Sequence, residues 1–545
     1  MTLLAGFLDV LLRGLALVAL SASVGGVGYA LWALRPLGRR RPPVEAAARR
    51  ALGLIIAGAL VLAAARLVIL TVLQPWALAD ETGGWALREV LSTAFARAGL
   101  VSVVLALGLA VCAAWLRAHP TSPAGWMVAV AISLVLLGNA AWLAHATSRL
   151  EGRAPLMAMT VVHQAGAVIW VGGLIHLMGF WRLRGSWRLS PGDEAADRLG
   201  AAVLGRFSAL ALFGVALVVG PGLFLMRHYV GGWEALIGTG YGFMVVTKVA
   251  LLGAALLLGA LNFLVLRRRT GGGPAGDATA RLRAFVEAEL GIGLTVLLSA
   301  ASLTSLPPGI DVVADRATPA EVAARFLPGM PRLTSPPVGQ LLAAAAPIAD
   351  TLGIRQPEEY AWSEYNHHAA GMFVFAMGVL AVLDRTGRPR WARHWPLLFL
   401  GLAAFMFIRN DPRAWPLGPA GFWESMTLPD VLQHRLAVLF VVAIGLFEWL
   451  GRIGPLRRPG WQLVFPLLCA AGGAVLLTHS HAMFNLKAEF LAEVSHAPMG
   501  LLAVLMGWGR WIELRLPEGT NGVPGWVWAV SMVLIGALLL VYRET

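Results

Sequence analysis

The feature that most restricts this chain is a long series of apolar runs, nearly free of charge and each about the length needed to cross a bilayer. They lie at about 3–34, 51–73, 98–118, 125–146, 158–181, 207–226, 243–266 and 284–306, then at 367–384, 395–408, 432–450, 461–478, 494–513 and 524–542. A spanning helix needs about 20 predominantly apolar residues, and lipid offers no partner to an unpaired backbone N–H or C=O. The expected fold class is therefore all-α: a polytopic integral membrane protein of about 14 transmembrane helices in two bundles, eight and then six. The bundles are residues 1–306 and 367–545. The break between them, 307–366, carries Pro307, Pro308, Pro319, Pro328, Pro331, Pro336, Pro337, Pro347 and Pro357, which suits an external linker.

Composition agrees. Hydrophobic residues make up 58% and charged residues 13%, the latter about half of what soluble domains carry. A soluble globular enzyme is excluded. The first run lacks a basic leading region and is too long for a signal peptide, so a retained helix is expected. Of 43 basic residues only Lys248 and Lys487 are lysines. Lys248 follows Thr247 and Lys487 follows Leu486, so neither a Walker A loop nor the Asp-Lys-Thr-Gly motif of P-type pumps is present. No enzymatic activity is expected from either device. Cys112 and Cys469 each sit inside an apolar run and read as core-filling residues.

The net charge of +13 reads as topology and contact with anionic lipid, not as nucleic-acid binding. Loops after the odd-numbered helices hold 26 basic residues and those on the opposite side 13. The odd loops are thus expected to be cytoplasmic and both termini external. On this topology nine of the twelve histidines collect at the external side: His145, His163, His228, His367, His368, His434, His479, His481 and His496. His119 and His394 fall on the cytoplasmic side, and His176 lies deeper.

Helix 5 places Met159 and His163 four apart, on one helical face. A thioether favours Cu(I), and imidazole accepts either copper state. His145, Met226 and His228 are further candidates nearby. The alternative is that the methionines pack and His163 bonds a neighbour. Lys248, several residues inside helix 7, is a candidate intramembrane charge, with Glu287 or Glu289 of helix 8 as its counter-charge.

From His163 to Leu174, then through Arg206-Phe207-Ser208, Gly220-Pro221-Gly222, Tyr241-Gly242, Lys248-Val249, Asn262, Arg283, Glu287, Glu289-Leu290-Gly291 and Thr304-Ser305-Leu306-Pro307-Pro308, the sequence resembles the bacterial copper-resistance D (CopD) family. The resemblance covers roughly residues 1 to 308. It implies an eight-helix protein of the bacterial inner membrane, linked to copper uptake or tolerance. It carries over no defined ligand set, so the ligands named here rest on side-chain chemistry.

The second bundle is richer in polar groups at one level. Helix 9 opens through Glu364, His367 and His368, helix 11 through Gln433 and His434, and helix 13 through Glu493 and His496, while helix 12 ends in His479 and His481. These helix starts share one direction, so up to six imidazoles could converge with Glu364 and Glu493 on a metal. Nitrogen and carboxylate ligands suit Cu(II) or zinc better than Cu(I). Interfacial histidines without a ligand are the plain alternative. Trp391, Trp395, Trp415, Trp423 and Trp461 are expected at headgroup level.

Two other functions stay open. One is electron transfer through b-type haem. His163 and His176 do not suit a stacked pair, because 13 residues turn a helix about 1300°, roughly 140° short of four turns. A single haem held by His434 with His367, His368 or His496 survives. The other is delivery of copper to a cuproprotein, with a periplasmic copper-binding protein as partner.

Overall fold

The computed structural model describes residues 2–38, 42–186, 194–270, 275–344, 356–478, 486–517, 519 and 522–544. Among them there is no strand. Fourteen helices are long and apolar enough to span a membrane: α1 Leu4–Leu37, α2 Val44–Ala79, α3 Ala94–Ala118, α4 Pro123–Leu143, α5 Arg153–Arg182, α6 Arg198–Tyr229, α7 Gly240–Val265, α8 Ala280–Ser305, α9 Pro357–Arg385, α10 Arg390–Arg409, α11 His434–Ile453, α12 Pro459–Thr478, α13 Leu486–Arg515 and α14 Gly522–Leu540. The chain is an all-α polytopic membrane protein.

Helix ends follow local chemistry. Thr93 caps α3 by accepting from the Ala96 N–H, and Ser122 caps α4 ahead of Pro123. The apolar run marked the start of the ninth helix at 367, but α9 begins ten residues earlier. The Glu359 carboxylate accepts there from the Gln356 backbone N–H at 2.7 Å, with Pro357 in the first turn. Polar turns add length that an apolar window does not register.

The chain folds as two compact units, Met1–Gly231 with Gly293–Pro307, and Gly232–Ile292 with Pro308–Thr545. By compactness, α7 and the first part of α8 group with α9–α14, whereas the sequence break divides the chain near 306. The 308–344 stretch belongs to the second unit and carries short helices Pro319–Ala324 and Val338–Ala344.

Glycine seams bring helices close, as van der Waals packing requires where lipid is as apolar as leucine. In the first unit, a Cβ on Gly172 of α5 would lie 2.1 Å from the Ser21 carbonyl oxygen of α1. At this crossing α1 runs through π-helical turns at Ser21–Gly25 and Ala30–Leu34. In the second unit, a Cβ on Gly378 of α9 would lie 2.6 Å from the Val533 nitrogen of α14, and one on Gly536 of α14 would lie 2.3 Å from the Phe375 nitrogen of α9. That seam sets where α14 ends relative to the first turns of α9.

Trp395, in the first turns of α10, is turned into the protein. It is 1% exposed and packs with Phe465 and Trp528 in the core of the second unit, at ring separations of 6.0 and 5.9 Å. Trp391, Trp415, Trp423 and Trp461 are exposed. Cys112 and Cys469 are buried and free.

Candidate functional site

In the first unit, α5 places His163 against α6 beside Pro221. Proline has no N–H for the carbonyl four residues back, so the helix ladder is open there. His163 Nδ1 lies 2.8 Å from the next carbonyl, that of Val218, and a Cβ on Gly222 would be 3.1 Å from the ring. A carbonyl only accepts, so Nδ1 carries the proton and Nε2 holds the lone pair. Met159 and His163 are both half-buried. The other candidates bond elsewhere: His145 Nε2 donates to the Leu303 carbonyl at 2.8 Å, and exposed His228 uses Nδ1 on Phe224 of its own helix.

His176 faces a different helix from His163. Its Nε2 donates to the Ala22 carbonyl of α1 at 2.8 Å, inside the π turn, and its ring stacks on Tyr29 at 5.6 Å. The Tyr29 hydroxyl and His176 Nδ1 are both buried with no hydrogen-bond partner among the described residues. No motif in the sequence joins Tyr29 to His176. The one local signal is the glycines that let the helices approach, Gly25 against Gly172 and Gly26 against the His176 ring.

In the second unit, α9 presents Glu364, His367 and His368, and α13 presents His496. The rings of His367 and His496 are 5.7 Å apart and nearly perpendicular. His367 Nδ1 bonds its own Ser363 carbonyl at 2.9 Å, which again leaves the lone pair on Nε2. His368 differs. Its Nδ1 accepts from the Arg332 backbone N–H at 2.7 Å and its Nε2 donates to the Tyr542 carbonyl at 2.8 Å, so both nitrogens are committed and neither can ligate a metal as placed. Glu364 pairs with Arg332 at 3.1 Å and accepts from the Glu544 N–H at 3.2 Å. A cavity of about 350 Å³ opens beside these residues, lined by Met330, Arg332, Glu364, His368 and Tyr542.

Glu493 is half-buried. His434 is exposed at the start of α11 while its neighbour Arg435 turns inward onto the Trp415 carbonyl and the Phe407 ring. His479 and His481 lie outside the described residues. Among the described residues no three His, Cys, Asp or Glu side chains form a group that could hold a metal ion. For a haem between His367 and His496, the Tyr542 ring already occupies the neighbourhood, 3.8 Å from one imidazole and 5.8 Å from the other.

Glu287 is not the counter-charge of Lys248. It pairs with Arg283 at 2.9 Å and Arg515 at 3.0 Å and accepts from Trp511 Nε1 at 2.8 Å. Glu289 accepts from Asn262 at 3.4 Å. Lys248 makes no ion pair with the described residues. An arginine pair holds its carboxylate bidentately and on a shared face, which a single lysine does not match.

The strongest electrostatic feature was not anticipated. At the far ends of α9, α11 and α13, each helix supplies one acid and one arginine: Asp384 with Arg385, Glu448 with Arg452, and Glu513 with Arg510. Arg452 bridges Glu448 and Asp384, Arg510 bridges Glu448 at 3.1 Å and Glu513 at 2.7 Å, and Arg385 closes on Glu513. Trp528 Nε1 of α14 donates to Glu513 at 2.6 Å. Three acids and three arginines sum to zero, which is what makes the cluster tolerable in an apolar setting.

Comparison with known proteins bears on part of the chain. The family model "Copper resistance protein D" matches residues 201–303, which hold most of α6, all of α7 and nearly all of α8. A curated relative, the Copper transport protein CutJ of Bacillus subtilis (strain 168), is 29% identical over 308 residues, covering 54% of this chain and 52% of that protein. The chain thus spans about half the length of the curated relative it matches. No solved structure matches. The likeness to the copper-resistance D family that the sequence suggested is shown over residues 201–303.

Proposed function

We propose that this chain is a copper-handling protein of the bacterial inner membrane, taking up or transporting copper received at its external face. The observation that carries the reading is the seat of His163. Its Nδ1 is fixed to Val218 and its ring lies against Gly222, both within the 201–303 segment that matches the copper-resistance family. A backbone-fixed Nδ1 presents Nε2 as the ligand, and Met159 adds a soft donor on the same face. In the second unit His367 and His496 are the proposed receiving pair, with Glu364 beside them. His434, His479, His481 and Glu493 remain peripheral candidates.

The functional modules are 1–306 and 367–545, both termini face outward, and the chain works as a carrier, not as an enzyme. Copper arrives from a periplasmic copper-binding protein.

The test is copper accumulation in cells producing equal amounts of the wild-type chain and of a variant carrying Met159→Leu with His163→Ala. Accumulation or copper sensitivity should change clearly. An unchanged response would make the pair packing and remove the reading from α5.

A further inference from the structure

Beyond the last turn of α14, residues 541–544 fold back over the starts of the helices that carry the histidines. Tyr542 is 2% exposed. Its ring stacks on His367 at 3.8 Å and lies edge-on to His496 at 5.8 Å, so one phenol touches both half-buried imidazoles. Every residue from 542 to 544 is tied down. The Tyr542 carbonyl takes the His368 Nε2 proton at 2.8 Å, and its hydroxyl sits 2.6 Å from Glu544 Oε1 and 3.1 Å from the Ala492 carbonyl. Arg543 donates to the Pro328 carbonyl at 3.3 Å, across Gly329, where a Cβ would lie 2.1 Å from its guanidinium. Glu544 is joined to Glu364 through its N–H and to the Ser363 hydroxyl.

These contacts divide the three histidines by task. His368 spends both nitrogens fastening the segment around Arg332 and the Tyr542 carbonyl to α9, so it is a latch. His367 and His496 stand 5.7 Å apart, close to the separation of about 6 Å that two imidazoles sharing one ion need with metal–nitrogen bonds of about 2.0 Å. The pair is near its ligating spacing already. The ring lying against it has to move for an ion to enter, and above Tyr542 the Val541 and Tyr542 N–H bonds to Ala537 and Leu539 continue the helix.

We propose that Tyr542 is the residue that sets access to the His367–His496 pair, a hinged cover locked by its hydroxyl to Glu544 and displaced when a soft monovalent cation, Cu(I), is taken up. This rests on the copper reading of that pair. Stacking needs only the ring, and the hydroxyl adds the lock. Phenylalanine therefore keeps the cover and loosens it, while alanine removes it.

The test uses the full-length chain in detergent, as wild type, Tyr542→Phe and Tyr542→Ala. Diethylpyrocarbonate modification of His367 and His496, followed by peptide mass spectrometry, reads exposure without any metal. Tyr542→Phe should be modified roughly tenfold faster than wild type, as expected for loss of one hydrogen bond to a charged acceptor, and Tyr542→Ala faster still. Equal rates in all three would overturn the cover. With Cu(I) offered from a bathocuproine chelate, Tyr542→Phe should load faster at unchanged stoichiometry. Slower loading or less bound copper would overturn the access role. If His367→Ala with His496→Ala leaves bound copper unchanged, the copper reading of the pair fails, and the modification rates still decide whether Tyr542 covers it.

Discussion

Replacing Glu513 by glutamine tests the charge cluster at the ends of α9, α11 and α13. Glu513 accepts from Arg385, from Arg510 at 2.7 Å and from Trp528 Nε1 at 2.6 Å. Glutamine keeps one acceptor oxygen and the volume, but leaves three arginines against two acids. Stranding a charge in a buried pair costs about 3–5 kcal/mol. Glu513, Arg385 and Arg510 retain 10%, 16% and 15% side-chain exposure, so residual solvent screening argues for the lower end, about 3 kcal/mol. Reversible unfolding in mixed SDS micelles, followed by tryptophan fluorescence, gives the number. Adding Arg385→Gln restores neutrality, so the double variant should lose less than the sum of the single ones, by about 1–2 kcal/mol. Additive losses, or a Glu513→Gln cost below about 1 kcal/mol, would show that the six charges are separate surface pairs and not one neutral cluster.

Two further outcomes are expected. Gly172→Ala sets a Cβ 2.1 Å from the Ser21 carbonyl; because the opposing atom is backbone, α1 and α5 must separate, and thermal stability should fall by an amount typical of overpacking, about 1–3 kcal/mol, whereas no loss would mean the crossing is loose. Lys487 pairs with Glu321 at 2.8 Å and, with the Thr318 N–H and hydroxyl behind it, holds the Glu321 carboxyl down to about 2. A depressed carboxylate contributes its stabilisation in full above its ordinary range and loses it as pH falls through the folded value, here between roughly 4.5 and 2. At pH 4, hydrogen exchange over 319–327 should therefore be faster in Lys487→Met than in wild type, and equal exchange would refute the tie.

Much of the architecture was legible because a bilayer imposes a length and a polarity that any window along the chain can read. All fourteen spans were visible as apolar runs, and the structure moved their ends chiefly where polar turns extend the helix, as at Pro357–Asn366. The four-residue spacing of Met159 and His163, and the opposed facings of His163 and His176, also follow from helix periodicity alone. The reserved roles did not. His368 looks like a twin of His367 in sequence, yet it is consumed by Arg332 and Tyr542, which lie 36 and 174 residues away. Tyr542 reads as the end of an apolar run until the α9–α14 glycine seam lays it over two imidazoles. Asp384, Glu448 and Glu513 lie 64 and 65 residues apart in the chain, and only the packing of three helices brings their arginines between them. Local periodicity fixes which face a side chain occupies, whereas partners come from which helices pack and at what level, and the pairing energy of a buried charge or a bonded imidazole depends on that partner alone.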